Sequence, residues 1–128
     1  MNLISKLGLI LVLYTLRDSV MKDICENFIK VEVFIPSDSK EKLIDALADS
    51  GILKYENYDR VYSQTKVLDH FIPLENANPF IGEKKEECEV EEVKLEFRIK
   101  AKDKEKVFKI IKENHPYEVA VINFIGLL

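Results

Sequence analysis

The sequence predicts an α+β fold, a ferredoxin-like βαββαβ sandwich with an extra hairpin or loop between its second and third strands. Two strand-helix-strand units stand in tandem, each predicted helix carries a single apolar stripe, and the predicted strands alternate apolar with polar residues. Alternating strands belong to a sheet with one covered face, and one-striped helices supply the cover. The other sheet face is expected to be open.

The first strand spans Phe28 to Ile35. Ile29, Val31, Val33 and Ile35 share one face with Lys30 and Glu32 between them, while Phe28 and Phe34 make the second face partly apolar. Apolar groups on an uncovered sheet face mark association, so this face is a candidate contact between copies. After Pro36, Asp38 and Glu41 form a D-x-x-E variant of the capping box, Leu43, Ile44 and Leu47 follow at helical spacing, and Gly51 ends the helix. A tyrosine-rich stretch from Ile52 leads into a strand at Arg60 to Gln64, with Lys66 to Ile72 pairing back onto it until Pro73 ends the ladder.

Beyond an acidic hinge, Glu83 to Glu89, the alternation is at its cleanest from Val90 to Ile99. Val93, Leu95, Phe97 and Ile99 face one way, and Glu92, Lys94, Glu96 and Arg98 the other. Asp103 caps a second helix whose buried stripe is Val107, Phe108, Ile110 and Ile111, with Lys104, Lys106, Lys109 and Lys112 toward water. Asn114 and Pro116 stop it, and Val119 to Phe124 is the last strand.

A chain of 128 residues, 47% hydrophobic and 33% charged, makes one globular domain, expected over residues 25–128. The net charge of -4 argues against nucleic acid or an anionic membrane as partner. Cys25 and Cys88, few and far apart, fit a reduced cytoplasmic protein rather than a disulfide framework. Residues 1–24 read as an N-terminal extension. Its apolar run Leu9-Ile10-Leu11-Val12-Leu13-Tyr14 is ended by Arg17 and Asp18, well short of the roughly 20 residues that span a bilayer, and no small-x-small cleavage site follows. Two readings stay open: a start placed upstream of the natural Met21, or an apolar helix that docks on a protein partner or tethers the domain to a membrane.

Two segments stand out because neither periodicity nor turn chemistry demands them. In Leu74 to Gly82, Asn76 and Asn78 tolerate left-handed backbone, Pro79 stiffens the loop, Phe80 is its aromatic member and Gly82 permits a sharp exit. This ordered loop either builds a ligand pocket or an interface, or crosses a sheet edge with no further role. In His115-Pro116-Tyr117-Glu118, an imidazole and a carboxylate lie three residues apart at a helix-to-strand corner. Both are metal-ligand types, and His70 is the only other histidine, so a divalent-metal site bridging subunits through His70, His115 and Glu118 stands against a plain structural corner. The glutamates from Glu83 to Glu92 are interleaved with Lys84 and Lys85, as in a solvated turn. The sequence has no Ser-His-Asp order, no phosphate-cradling glycine loop and no C-x-x-C pair.

The string Pro73 to Gly82, followed by Glu91-Glu92-Val93 and by His115-Pro116-Tyr117-Glu118, resembles the inserted middle domain of the YqfO-type, Nif3-like family, and Gly51 to Asp59 resembles the stretch before that domain's second strand. The similarity runs from about Val31 onward. It departs at Asn76, where the family usually has glycine, at Val67-Leu68-Asp69-His70, which replaces a glycine-rich turn, and at Val119, which replaces a second glutamate. Members of the family carry a two-metal site on flanking domains that this sequence does not contain, so the resemblance implies a stand-alone module without their proposed hydrolase or cyclohydrolase activity. It also implies a fold similar to CutA and PII-like proteins, which tend to form trimers. CutA ends in a similar His-Pro-Tyr-Glu-Val segment, matched by His115 to Val119, although the chain has no tryptophan.

The expected function is a non-enzymatic, self-associating cytoplasmic module, trimeric by preference, that binds a small ligand, a cation or a protein partner through the motif loop and the His115 corner. A CutA-like divalent-cation-binding trimer and a metal-dependent hydrolase with its site between subunits are the alternatives.

Overall fold

A computed structural model describes residues 28–128. The apolar N-terminal run, the Met21 alternative and Cys25 lie outside the described residues. Strand β1 (Phe28–Pro36) leads through a 3-10 turn (Ser37–Ser39) into helix α1 (Lys40–Asp49), and β2 (Ser63–Phe71) and β3 (Cys88–Lys100) follow. A second 3-10 turn (Ala101–Asp103), helix α2 (Lys104–Asn114) and strand β4 (Ile122–Gly126) complete the order. The four strands make one antiparallel sheet in the order β2-β3-β1-β4, the ferredoxin-like arrangement that the alternation predicts.

The core sits between the sheet and the helices. In register, Val31 pairs with Phe97, Val33 with Leu95 and Ile35 with Val93, so the apolar residues of the two central strands form one continuous face. Leu43, Ile44 and Leu47 of α1 and Val107 and Ile111 of α2 pack on that face and are fully buried. Each such aliphatic side chain contributes about 1.5–3 kcal/mol over its exposed state. Gly51 closes α1 at a φ of +83°, with its N–H donating to Ala48 O at 3.0 Å, as its position after the apolar stripe predicts.

Several local expectations are corrected. The segment predicted as two short pairing strands is one strand: β2 runs unbroken through Thr65 because every residue from Ser63 to Phe71 finds a partner on the long strand β3. Neither Asp38 nor Asp103 makes a capping hydrogen bond, since a 3-10 turn already occupies each helix entry. Phe108 leaves the buried stripe of α2 and lies 43% exposed, resting on the Phe124 ring at a centroid distance of 6.4 Å. The last strand begins at Ile122 rather than Val119, and Val119 and Val121 are exposed.

On the second sheet face Glu32 lies opposite Glu96, a like-charge pair that would repel. Lys30 answers it by reaching both carboxylates at 3.1 Å, while Lys94 holds Glu96 at 2.8 Å and Glu32 at 3.8 Å. The alternating charges therefore form a flat ion-pair network over that part of the face.

Candidate functional site

The cover of the sheet changes sides along β3. From Val93 to Ile99 the buried residues face the helices, but Val90 and Glu92, on the opposite side, are buried as well. Chain from elsewhere covers them. The loop after Phe71 folds back over this end of the sheet and is closed by Lys85 N–H donating to Pro73 O at 2.6 Å and Ala77 N–H to Leu74 O at 3.0 Å. At its exit Gly82 has a φ of +95°, and a Cβ there would lie 3.2 Å from Cys88 Sγ and 3.3 Å from Cys88 Cβ, so both the backbone and the space require glycine. Asn76 and Asn78, which tolerate left-handed backbone, do not adopt it; Lys85, at a φ of 66°, is the non-glycine residue of this loop that does.

The corner after α2 meets the loop. His115 adopts an extended backbone before Pro116. Its Nε2 donates to Phe34 O at 2.6 Å and its Nδ1 accepts from Tyr117 N–H at 3.1 Å, which assigns the proton to Nε2. Burial, aided by the Lys112 charge, pushes the His115 pKa down, only partly offset by the bond to Phe34, so the ring is neutral. Glu118 Oε1 accepts the backbone N–H of Asn78 at 2.9 Å, and the Tyr117 ring packs against Phe71 and Phe80 at centroid distances of 6.4 and 6.3 Å. The two segments that the sequence singled out are thus joined across 40 residues.

Between them lies a cavity of about 440 Å³. Phe34, Phe71, Pro79, Phe80 and Val121 give it apolar walls, and Asp69, His70, Glu92, Tyr117 and Glu118 bring polar groups. Glu92 is 3% exposed, and neither its Oε2 nor the Tyr117 hydroxyl has a hydrogen-bond partner. Burial, followed by the neighbouring Asp69 carboxyl, pushes the Glu92 pKa up to about 7. Burial and Glu92 likewise raise the Tyr117 hydroxyl above its ordinary range.

Of the residues predicted for a site, the fold brings Pro79, Phe80, His70 and Glu118 to the cavity and ties in Asn78 through its N–H. His115 stands behind Tyr117 with both ring nitrogens engaged, and Asn76 and Gly82 shape the loop without lining the cavity. His70 faces Glu89 at 3.0 Å, a contact that raises its pKa. Among the described residues no three His, Cys, Asp or Glu side chains are grouped as a metal ion requires. Asp69, Glu92 and Tyr117 are the functional candidates that the sequence reading missed. Val90 and Phe34, apolar residues on a face expected to be open, were the signal that something covers it.

No family model matches the chain. A GTP cyclohydrolase 1 type 2 homolog of Staphylococcus aureus is 34% identical to it over 109 residues, 85% of this chain and 30% of that protein. The solved structure of a Bacillus cereus protein related to NIF3 superposes with a TM-score of 0.68 at 30% identity, covering 80% of this chain and 26% of the other. The chain is homologous to one segment of the Nif3-like proteins. It spans under a third of the length of the curated relatives it matches. The chain also shares its fold with CutA of Synechococcus elongatus, at a TM-score of 0.60, 10% identity and coverage of 80% and 79%. No helix among the described residues is long and apolar enough to cross a membrane.

Proposed function

We propose that this Nif3-like chain is a self-associating, non-enzymatic, cytoplasmic module that holds a small organic ligand in the cavity between the motif loop and the His115–Glu118 corner. The observation that carries the reading is the cavity itself. Its volume of about 440 Å³ falls in the range of ligand pockets, and it combines aromatic walls with a few convergent polar groups, one of them a buried carboxyl of raised pKa. The cyclohydrolase name belongs to relatives more than three times as long as the matched region, and in the Nif3-like resemblance the metal site sits on other domains. A trimer is proposed from the fold shared with CutA, and the exposed Leu74, Phe80 and Val119 beside the cavity supply apolar surface for contact between copies.

The binding part is tested with benzyl alcohol as a neutral probe, followed by saturation-transfer NMR on the native chain and on Ala77→Trp, in which an indole fills the cavity from the loop side. Transfer to the native chain and its loss in the folded variant support the reading; equal transfer in both overturns it.

A further inference from the structure

Resting on the pocket reading above, we infer that the cavity recognises a small organic ammonium ion, its charged nitrogen seated against the Glu92 and Asp69 carboxyls and its apolar body among Phe34, Phe71 and Phe80. The choice follows from what lines the walls. Asp69, Glu92 and Glu118 bring three carboxyls and no lysine or arginine lines the cavity, so an anionic ligand meets carboxyls with only His70, already paired with Glu89, as a possible counter-charge. Glu92 Oε2 is buried without a hydrogen-bond partner, the neighbouring Asp69 carboxyl repels it, Lys94 on the same face is held by Glu96 and Glu32, and the Tyr117 hydroxyl facing it has a single hydrogen to give. An ammonium group supplies several N–H donors to that oxygen and to the equally unpartnered Tyr117 hydroxyl.

Aromatic faces favour the same ligand class, since a ring attracts a cation over its face, and Phe71, Phe80 and Tyr117 already stand as a contacting cluster. A bare divalent metal fits worse, for it needs more oxygen ligands than aromatic walls provide. Glu92 is largely protonated below its value of about 7, so docking of an ammonium ion releases a proton and strengthens as pH rises through that value. The other titratable groups facing the cavity are Asp69 and His70 from β2 and Tyr117 and Glu118 from the corner. Protonation of His70 repels a cation in the same pH direction, so a variant at Glu92 is needed to separate the two.

The test compares benzylammonium, benzyl alcohol and benzoate, isosteres of different charge, in chemical-shift titrations at about pH 8 with the native chain, Glu92→Gln and Asp69→Asn. The expected result is at least about tenfold tighter binding of benzylammonium than of benzyl alcohol, no binding of benzoate, and loss of that preference in Glu92→Gln with benzyl alcohol unaffected. Should Glu92→Gln fail to fold, Asp69→Asn is read in its place and is expected to weaken benzylammonium alone. Benzyl alcohol binding as tightly as benzylammonium, or benzylammonium binding unmoved in the folded variant, overturns the inference and leaves the pocket reading standing. Failure of all three compounds to bind the native chain overturns both.

Discussion

Gly82 and Glu92 show how single residues shape this site. At Gly82 an alanine meets two obstacles together, a φ of +95° and a contact of 3.2 Å with Cys88 Sγ, and Cys88 is itself anchored at the start of β3. Gly82→Ala is expected to cost about 1–3 kcal/mol in urea unfolding, the range for strained backbone positions. Glu92 has its consequence in pH. Its folded pKa of about 7 exceeds the ordinary 4.5, so folding takes up a proton between those values and stability falls as pH rises through the window. Glu92→Gln removes that loss, and the variant should gain about 3 kcal/mol on the native chain at pH 8 relative to pH 4. His115 acts in the opposite sense. Its lowered pKa makes protonation unfold the corner as pH falls below 6.5, but this background is common to both proteins and cancels in their difference. Asn78 and Glu118 were legible as members of unusual strings and are now a hydrogen-bonded pair. Glu92 was not, because the period-two rule groups it with Lys94 and Glu96, and only a loop arriving from outside the strand buries it.

The elements repeat this pattern. The buried faces of β1, β3 and α1 were readable because each is set by local periodicity against a partner with the same requirement. Helix α2 carries four apolar residues where the sheet below has room for two fully buried ones, Val107 and Ile111, with Ile110 partly buried and Phe108 turned outward. Thermal unfolding should separate them: Ile111→Ala is expected to cost about 2–5 kcal/mol, whereas Phe108→Ala costs under about 1 kcal/mol, its main loss being the contact with Phe124. A cost for Phe108→Ala equal to that of Ile111→Ala would put the aromatic ring back in the core. Val119 and Val121 have strand-forming side chains, yet the His115 corner occupies that stretch of chain, and the first hydrogen bond to β1, from Phe34 N–H to Val121 O at 3.2 Å, comes only at the edge of Ile122. Apolar content alone cannot locate a strand end that a neighbouring corner decides.

For the whole molecule, the sheet order β2-β3-β1-β4 leaves β2 and β4 at the two edges, and the loop and corner cap one end of the face that the helices leave bare. Exposed edges and exposed apolar residues beside the cavity are the features that a closed ring of subunits covers. Light scattering behind size exclusion is expected to give three times the monomer mass across concentrations, and a strict monomer at high concentration would remove the trimer. The proposed function needs only that the motif loop and the His115–Glu118 corner enclose a ligand pocket. Amide chemical-shift mapping of the labelled chain titrated with benzylammonium tests it most directly. Saturable shifts are expected at Phe34, Asp69, Phe71, Phe80, Glu92 and Tyr117 and their neighbours, with the amides of α1 and α2 unmoved; shifts scattered over the surface, or none at these residues, would rule the pocket out.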